Sequence, residues 1–151
     1  MTERPDATAR AHTAEHILSA VMAALHGSPR NIAAHLGAKK SRVDFPVDRP
    51  IDDTAARPIE DAVNAAIRAD HPVAVALLSR ADAAERIDLT KVPADADPIR
   101  VVRIGDLDET ACVGDHVART SEIGRFVLRS LSMVDAQTVR IRFGLEAGHA
   151  E

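Results

Sequence analysis

The stretch His12-Thr13-Ala14-Glu15-His16 decides the fold, and it opens the apolar, alanine-rich segment Ile17 to Leu25. Apolar residues recur in this segment at spacings of three and four, which predicts an amphipathic helix over residues 11–26. Residues four positions apart lie on one face of a helix, so we expect the two imidazoles to point the same way. The sequence Gly27-Ser28-Pro29 then predicts the end of the helix.

A second stretch, Cys112-Val113-Gly114-Asp115-His116, repeats the four-residue spacing and contains the only cysteine of the chain. The two stretches together provide three imidazoles and one thiol, which are ligand types that suit Zn²⁺. We therefore predict a zinc site formed by His12, His16, Cys112 and His116. Each pair alone is a weak signal, because a histidine pair on a helix and a buried cysteine are both common without a metal.

The composition is that of an ordinary globular domain, with 151 residues, 46% hydrophobic and 28% charged. We assign residues 11–145 to one domain, residues 1–10 to a flexible lead-in and residues 146–151 to a frayed C-terminus. One cysteine cannot form an internal disulfide and no apolar signal segment is visible, so we expect a cytoplasmic protein without membrane association. The net charge of −4 argues against a dedicated nucleic-acid coat.

The other patterns predict the remaining secondary structure. They favour a hairpin of strands over 31–37 and 41–47, a helix over 55–70, a buried strand over 73–78, a short helix over 79–88, a strand over 99–104 and a closing hairpin over 125–134 and 137–145. This order is not a regular alternation of strand and helix. It predicts an α+β domain with a largely antiparallel sheet and helices packed on one side. An oligomer is possible at a free sheet edge but is not indicated.

Several motifs occur in an order that resembles a known family. These are His12-Thr13-Ala14-Glu15-His16-Ile17-Leu18, the hairpin stretch Ile32 to Phe45, Cys112-Val113-Gly114-Asp115-His116-Val117 and Thr120-Ser121-Glu122-Ile123-Gly124. Together they resemble the editing domains of alanyl- and threonyl-tRNA synthetases and their free-standing relatives, the AlaX alanyl-tRNA editing proteins. The resemblance covers residues 11–145 and implies an editing-domain fold.

The resemblance also implies an activity. It implies a Zn²⁺-dependent hydrolase that deacylates, in trans, the acceptor end of a tRNA carrying a wrong amino acid, usually Ser or Gly on alanine tRNA. A synthetase pocket rejects a slightly different small side chain only modestly, so a second hydrolytic site is needed for translation fidelity. Two alternatives remain open: a hydrolase of another aminoacyl-tRNA or of a small aminoacyl ester or amide, and a non-catalytic tRNA-binding module stabilised by zinc.

The role of the metal also remains open. Four protein ligands close a tetrahedral site, and closed sites are structural. Catalysis would need a fifth position or one loose ligand, for which Cys112 and His116 are the candidates because both lie on a predicted loop. The metal would then activate water or orient the amino group of the substrate.

Further candidate residues follow from the motifs. Glu15 is a candidate catalytic residue or a solvated carboxylate, and Asp115 is a candidate base, an ammonium ligand or a helix cap. Where the family commonly has C-G-G-T-H, this chain has Val113 and Asp115, a departure that puts the substrate identity in question. We expect Ser28 to line the pocket and His35 to be structural. The candidate contacts to tRNA phosphates are Arg30, Lys39, Lys40 and Arg42.

Overall fold

The computed structural model describes residues 6–147, which form helices and antiparallel strands. The elements in chain order are α1 (Ala7–His26), β1 (Ala33–His35), β2 (Ser41–Pro46), α2 (Ala56–Arg68), β3 (Val73–Leu78), α3 (Arg80–Ala84), β4 (Ile99–Ile104), β5 (Asp108–Ala111), β6 (Arg125–Asp135) and β7 (Thr138–Glu146). They confirm the predicted α+β class. Within the described part of the chain, no helix is both long and apolar enough to cross a membrane.

Helix α1 begins at Ala7, four residues earlier than the sequence pattern indicated. Asp6 caps it, since its carboxylate accepts a hydrogen bond of 2.6 Å from the backbone N–H of Thr8. Gly27 ends it in a left-handed conformation with φ of 62°, as the sequence predicted. The lead-in expected over residues 1–10 therefore overlaps the helix, and its first five residues lie outside the described part of the chain. The domain bounds of 11–145 stay a prediction.

The main sheet has the strand order β1-β2-β7-β6, and every neighbouring pair is antiparallel. The predicted hairpins are thereby confirmed. Strand β2 alternates, so Val43 and Phe45 face the core while Arg42 and Asp44 face outward. Helices α1 and α2 cover the inner face, where a continuous apolar core forms from residues of both helices and of all main-sheet strands except β1. The core thus fixes α1 against the sheet and determines which of its faces remains available.

The second sheet is smaller and has the order β3-β4-β5. Strand β3 was predicted to be buried, and this is wrong. It is an edge strand, and Val75 and Leu77 are 50% and 68% exposed. A continuous apolar run is typical of a strand covered on both faces, but within residues 6–147 only β4 pairs with β3. Strand β5, which the sequence did not indicate, pairs with β4 and leads directly into Cys112.

Candidate metal centre

The four predicted metal ligands converge at one point. The ligand atoms of His12, His16, Cys112 and His116 all lie within 4.8 Å of one another. The Nε2 atoms of His12 and His16 are 3.3 Å apart, and Sγ of Cys112 lies 3.3 Å from Nε2 of His12 and 3.4 Å from Nε2 of His116. A tetrahedral zinc site with ordinary Zn–N and Zn–S bonds has ligand–ligand edges of about 3.3–3.6 Å. The donor types and these three distances therefore fit a zinc ion.

Two elements bring these ligands together. Helix α1 presents His12 and His16 one turn apart, as the i, i+4 spacing predicted. The end of β5 and the loop after it present the other pair, and Arg100 on β4 holds this loop. Its Nη1 donates hydrogen bonds of 2.7 Å to the carbonyl of Cys112 and 2.8 Å to that of Gly114. The cysteine stretch is therefore anchored to the small sheet.

Gly114 lies directly against the ring of His12. A Cβ atom at this position would lie 2.3 Å from Cε1 and 2.5 Å from Nδ1 of His12. Real Cβ atoms do not approach other atoms so closely, so any side chain at position 114 must displace the ring. The glycine in the middle of the cysteine stretch is thus required by the close packing of the loop on the helix.

Hydrogen bonds set the orientation of two imidazoles. Nδ1 of His116 lies 2.9 Å from the hydroxyl of Thr13, which donates to the carbonyl of Ala9 at 3.0 Å and accepts from the N–H of Val117 at 3.1 Å. Because the single hydroxyl proton goes to Ala9, Nδ1 of His116 is the donor to Thr13. Nε2 of His116 then faces the cluster and can bind a metal when the ring is neutral.

His16 is fixed in the same way by a carboxylate. Its Nδ1 lies 3.2 Å from Oδ2 of Asp108, and Arg30 donates from Nη2 to Oδ1 of the same carboxylate. A carboxylate–histidine pair behind a metal ligand orients the ring and increases its basicity. Sequence reasoning missed Asp108, because β5 was not predicted. It also missed Thr13, although this residue lies inside the first motif.

The electrostatics of the cluster favour the metal-binding forms of Cys112 and His116, whereas His16 holds a proton that a metal would have to displace. Burial favours the neutral thiol, but hydrogen bonds from His116, His12 and His16 outweigh it and lower the pKa of Cys112 to about 3. Burial also opposes the charged form of His16, yet its hydrogen bonds to Asp108 and Cys112 raise its pKa to about 9. Burial, together with the neighbouring imidazoles, lowers the pKa of His116. A thiolate and neutral ring nitrogens are the forms that bind zinc, which takes the place of the protons.

Glu15 is buried rather than solvated. Its side chain has 7% exposure, and its Oε1 accepts a 3.1 Å hydrogen bond from Ser19 and another from the amide of Asn31. Its second oxygen, Oε2, lies 3.8 Å from Nε2 of His16. The interpretation of Glu15 as a solvated surface carboxylate is therefore wrong, and one carboxylate oxygen lies beside the cluster.

The other candidate residues are placed less centrally. Asp115 is exposed, and no hydrogen bond or ion pair to its carboxylate occurs among residues 6–147. Val113 is 91% exposed, so both departures from the family pattern lie at the surface. Ser28 was expected to line the pocket, but it is 3% exposed and its hydroxyl donates to the carbonyl of Pro46. A buried, engaged hydroxyl cannot contact a substrate, so this expectation is corrected.

The predicted phosphate contacts separate into two groups. Arg30 pairs with Asp108 and so belongs to the support of His16. Lys39, Lys40 and Arg42 lie at the far end of the β1–β2 hairpin and are exposed. His35, which we expected to be structural, is also exposed there. Only Arg30 of these residues borders the metal centre.

Two cavities flank the metal centre. One, of about 660 Å³, is lined in part by His12 and Cys112. The other, of about 680 Å³, lies on the side of Arg30. Lys91 lines both cavities, and its Nζ donates a 3.1 Å hydrogen bond to the carbonyl of Asn31. The cluster is therefore accessible from a divided cleft whose wall is formed by the loop before β4.

Comparison with known proteins identifies related domains. Residues 99–142 match the family model described as the threonyl and alanyl tRNA synthetase second additional domain. An alanine–tRNA ligase of Francisella philomiragia is 36% identical over 140 residues, which is 89% of this chain and 16% of that protein. One from Thermofilum pendens is 34% identical over 148 residues, 93% of this chain and 16% of that protein. One from Treponema denticola is 29% identical over 149 residues, 97% of this chain and 25% of that protein.

The chain thus spans a quarter or less of the length of these relatives. The similarity extends over nearly the whole chain and includes both halves of the metal centre. The matched family model covers β4, β5 and the cysteine stretch, and the ligases also match the region of α1. Residues 99–142 belong to the family of the threonyl and alanyl tRNA synthetase second additional domain, and nearly the whole chain is similar to part of alanine–tRNA ligases.

Proposed function

We propose that this protein is a zinc-dependent aminoacyl-tRNA deacylase. It would hydrolyse the ester that joins a wrong amino acid to tRNA, with Ser- or Gly-charged alanine tRNA as the substrate. The observation that carries this proposal is the convergence of four donor atoms beside two cavities, in a domain similar to part of alanine–tRNA ligases. A hydrolytic site of this kind removes errors that a synthesis pocket cannot reject.

The four ligands suggest how a metal would be used. His12, His16, Cys112 and His116 would hold a zinc ion, which when bound supplies Lewis acidity toward the ester carbonyl or a lowered pKa of bound water. His16 is buried, whereas the other three ligands are half-buried. The substrate ester would therefore approach from the side of those three residues, where His12 and Cys112 line a cavity of about 660 Å³.

Glu15 is the residue best placed to handle a proton. Because Ser19 and Asn31 both donate to Oε1, Oε2 remains available beside His16. A carboxylate in this position can accept a proton from the attacking water. Arg30 and Lys91 line the second cavity and provide positive charge for the phosphates near the 3′ end of the RNA.

A second candidate function is supported by the ligand count. Four protein ligands complete a tetrahedral site, and such sites commonly stabilise a fold without catalysing a reaction. The protein would then be a zinc-stabilised module that binds tRNA without hydrolysing it. A set of three protein ligands, in which Cys112 or His116 dissociates to admit water, would restore the catalytic alternative.

The test combines metal analysis with deacylation assays. We expect about one zinc per chain and hydrolysis of Ser- or Gly-charged alanine tRNA, with Ala-charged tRNA spared and Thr-charged tRNA as a further comparison. A zinc-loaded, folded protein without any deacylase activity would support the binding module. Metal-free protein that folds but hydrolyses none of these substrates would overturn both the metal assignment and the enzymatic proposal.

A further inference from the structure

A row of cations that includes none of the metal ligands crosses the outer face of the main sheet. In the strand order β1-β2-β7-β6, His35 pairs with Arg42, and Arg42 pairs with Arg142. Arg129 follows on β6, at an irregularity in the ladder between Leu128 and Ser130. We call this set the cation row, and it consists of His35, Arg42, Arg142 and Arg129, with Lys40 at its side.

The arrangement of Arg129 is specific. A β-bulge redirects the side chain of the extra residue, and here it places Arg129 over strand β7. A Cβ atom at Gly144 would lie 3.3 Å from both Nε and Nη2 of Arg129. The missing side chain at Gly144 therefore leaves the space in which this guanidinium lies next to Arg142. Two backbone features, the β-bulge at Arg129 and the glycine at position 144, therefore shape the row.

The row also has an unusual charge balance. The residues described by the structure form an ion pair on the same face between Arg140 and Asp44, but none that involves Arg42, Arg142 or Arg129. Like charges directly opposite each other in a sheet are destabilising, and Arg42 and Arg142 are direct partners. The chain as a whole has a net charge of −4, so the positive charge of this cluster is opposite in sign to the net charge of the protein. An anionic partner would remove the repulsion.

The shape of the face suits a phosphodiester backbone. The row surrounds a shallow depression of about 280 Å³. Four neighbouring strands span about 14 Å at the usual strand spacing. The row is therefore long enough to contact more than one phosphate of an RNA backbone, and its arginines can each bind a phosphate oxygen pair.

The row is connected to the metal centre by the chain itself. Asn31 donates to Glu15 beside the metal ligands, and the segment from Asn31 to His35 spans at most about 13 Å. An RNA whose 3′ end occupies the cleft would have its stem within reach of the row.

We infer that the cation row binds the sugar–phosphate backbone of the tRNA whose acceptor end enters the metal centre, in contacts that do not depend on sequence. The naming of tRNA rests on the proposed function. The row itself is a separate surface, formed by the outer face of β1, β2, β7 and β6. It provides affinity and orientation, while the metal centre provides the chemistry.

The experiment measures binding of uncharged alanine tRNA by the full chain at several salt concentrations. The test variant carries Arg42→Gln and Arg142→Gln. The matched control carries Arg57→Gln and Arg68→Gln, which remove the same charge from exposed positions of α2 on the other side of the sheet. The test variant should bind about tenfold more weakly near 0.1 M salt, and the slope of log K against log salt should fall in magnitude by about 1.8. The control should bind like the wild type.

Several outcomes would overturn the inference. These are wild-type affinity and salt slope in the test variant, an equal loss in the control, absence of tRNA binding by the wild type, and stronger binding to phosphatidylserine vesicles than to tRNA. Thermal unfolding checks the fold, and the test variant should not melt below the wild type because a like-charge pair is removed.

A separate assay keeps the two proposals distinguishable. Hydrolysis of a seryl ester of adenosine by the zinc-loaded wild type tests the metal centre alone, because this substrate has no phosphodiester backbone. Hydrolysis without row-dependent tRNA binding would overturn the cation row and leave the deacylase. Row-dependent tRNA binding without hydrolysis of the adenosine ester or of mischarged alanine tRNA would support the cation row and overturn the deacylase.

Discussion

Nδ1 of His116 lies 2.9 Å from the hydroxyl of Thr13, a residue 103 positions away that follows His12 on α1. This contact joins the two halves of the metal centre, because Thr13 comes from the helix that supplies one pair of ligands and His116 from the loop that supplies the other. The same hydroxyl accepts a hydrogen bond from the N–H of Val117. Thr13 thereby fixes both the ring orientation of a ligand and the path of the loop.

The first prediction concerns this contact. Thr13→Val removes the hydroxyl, leaves Nδ1 of His116 and the N–H of Val117 without their acceptor, and should weaken zinc binding about 10- to 100-fold. Thr13→Ser retains the hydroxyl and should bind zinc within about threefold of the wild type. Competition with a chromophoric chelator measures both affinities. Equal affinities for the valine and serine variants would show that the hydroxyl does not orient His116.

A second prediction uses two glycines with different environments. Gly114→Ala should displace the ring of His12 and weaken zinc binding, because its Cβ would lie 2.3 Å from Cε1. Gly27→Ala meets no atom within 4 Å but must adopt φ of +62°, so it should lower the free energy of unfolding by about 1 kcal/mol. Gly114→Ala should therefore lower the zinc affinity, and Gly27→Ala should lower the free energy of unfolding without changing the zinc affinity. A zinc competition assay and urea unfolding of both variants measure these effects. Unaltered zinc affinity in Gly114→Ala would contradict the packing argument.

The ligands could be predicted from the sequence because helix periodicity makes His12 and His16 neighbours, whatever the rest of the chain does. Residue type then suggested Cys112 and His116. The carboxylate behind His16 could not be predicted, since Asp108 reaches it across 92 positions and lies on a short, polar strand without apolar alternation. The supporting contacts depend on tertiary packing, whereas the ligand pairs depend on local spacing.

The fold shows the same division. The β1–β2 and β6–β7 hairpins were predicted, because alternation and short connections are local signals. The exposure of β3 was not, because an apolar strand has the same sequence pattern at an edge as in the middle of a sheet. A second neighbouring strand for β3 would have to come from another part of the chain. Within residues 6–147 only β4 pairs with β3.

A third prediction separates the two candidate carboxylates. Glu15→Gln preserves size and should retain zinc, but it removes the base and should lower kcat for deacylation about 10²- to 10⁴-fold. Asp115→Asn is the matched control, because Asp115 is exposed and makes no contact with the ligands that the structure records. It should change kcat by less than about twofold. The reverse order of effects would assign the base to Asp115 and leave Glu15 a structural residue.

The fourth prediction concerns pH and the ion pair on the outer face of the sheet. Oδ1 and Oδ2 of Asp44 accept hydrogen bonds of 2.9 and 3.0 Å from Nε and Nη2 of Arg140. These bonds are the main reason why the pKa of Asp44 lies below its ordinary value of 3.8, with burial acting in the opposite direction. A lowered pKa in the folded protein means that the carboxylate stabilises the fold above the pKa of the unfolded chain. This stabilisation is lost as the pH falls through the lower, folded value.

Asp44→Asn should therefore lower the free energy of unfolding by about 1 kcal/mol at pH 7, a small value because the pair is partly exposed to solvent. The difference between wild type and variant should stay constant down to about pH 5 and then shrink as the pH falls below 3.8. Urea unfolding of both proteins across this range measures the difference, which cancels the titration of the metal ligands because both proteins contain them. A difference that grows on acidification would mean that Asp44 is stabilised in its protonated form, contrary to its pairing with Arg140.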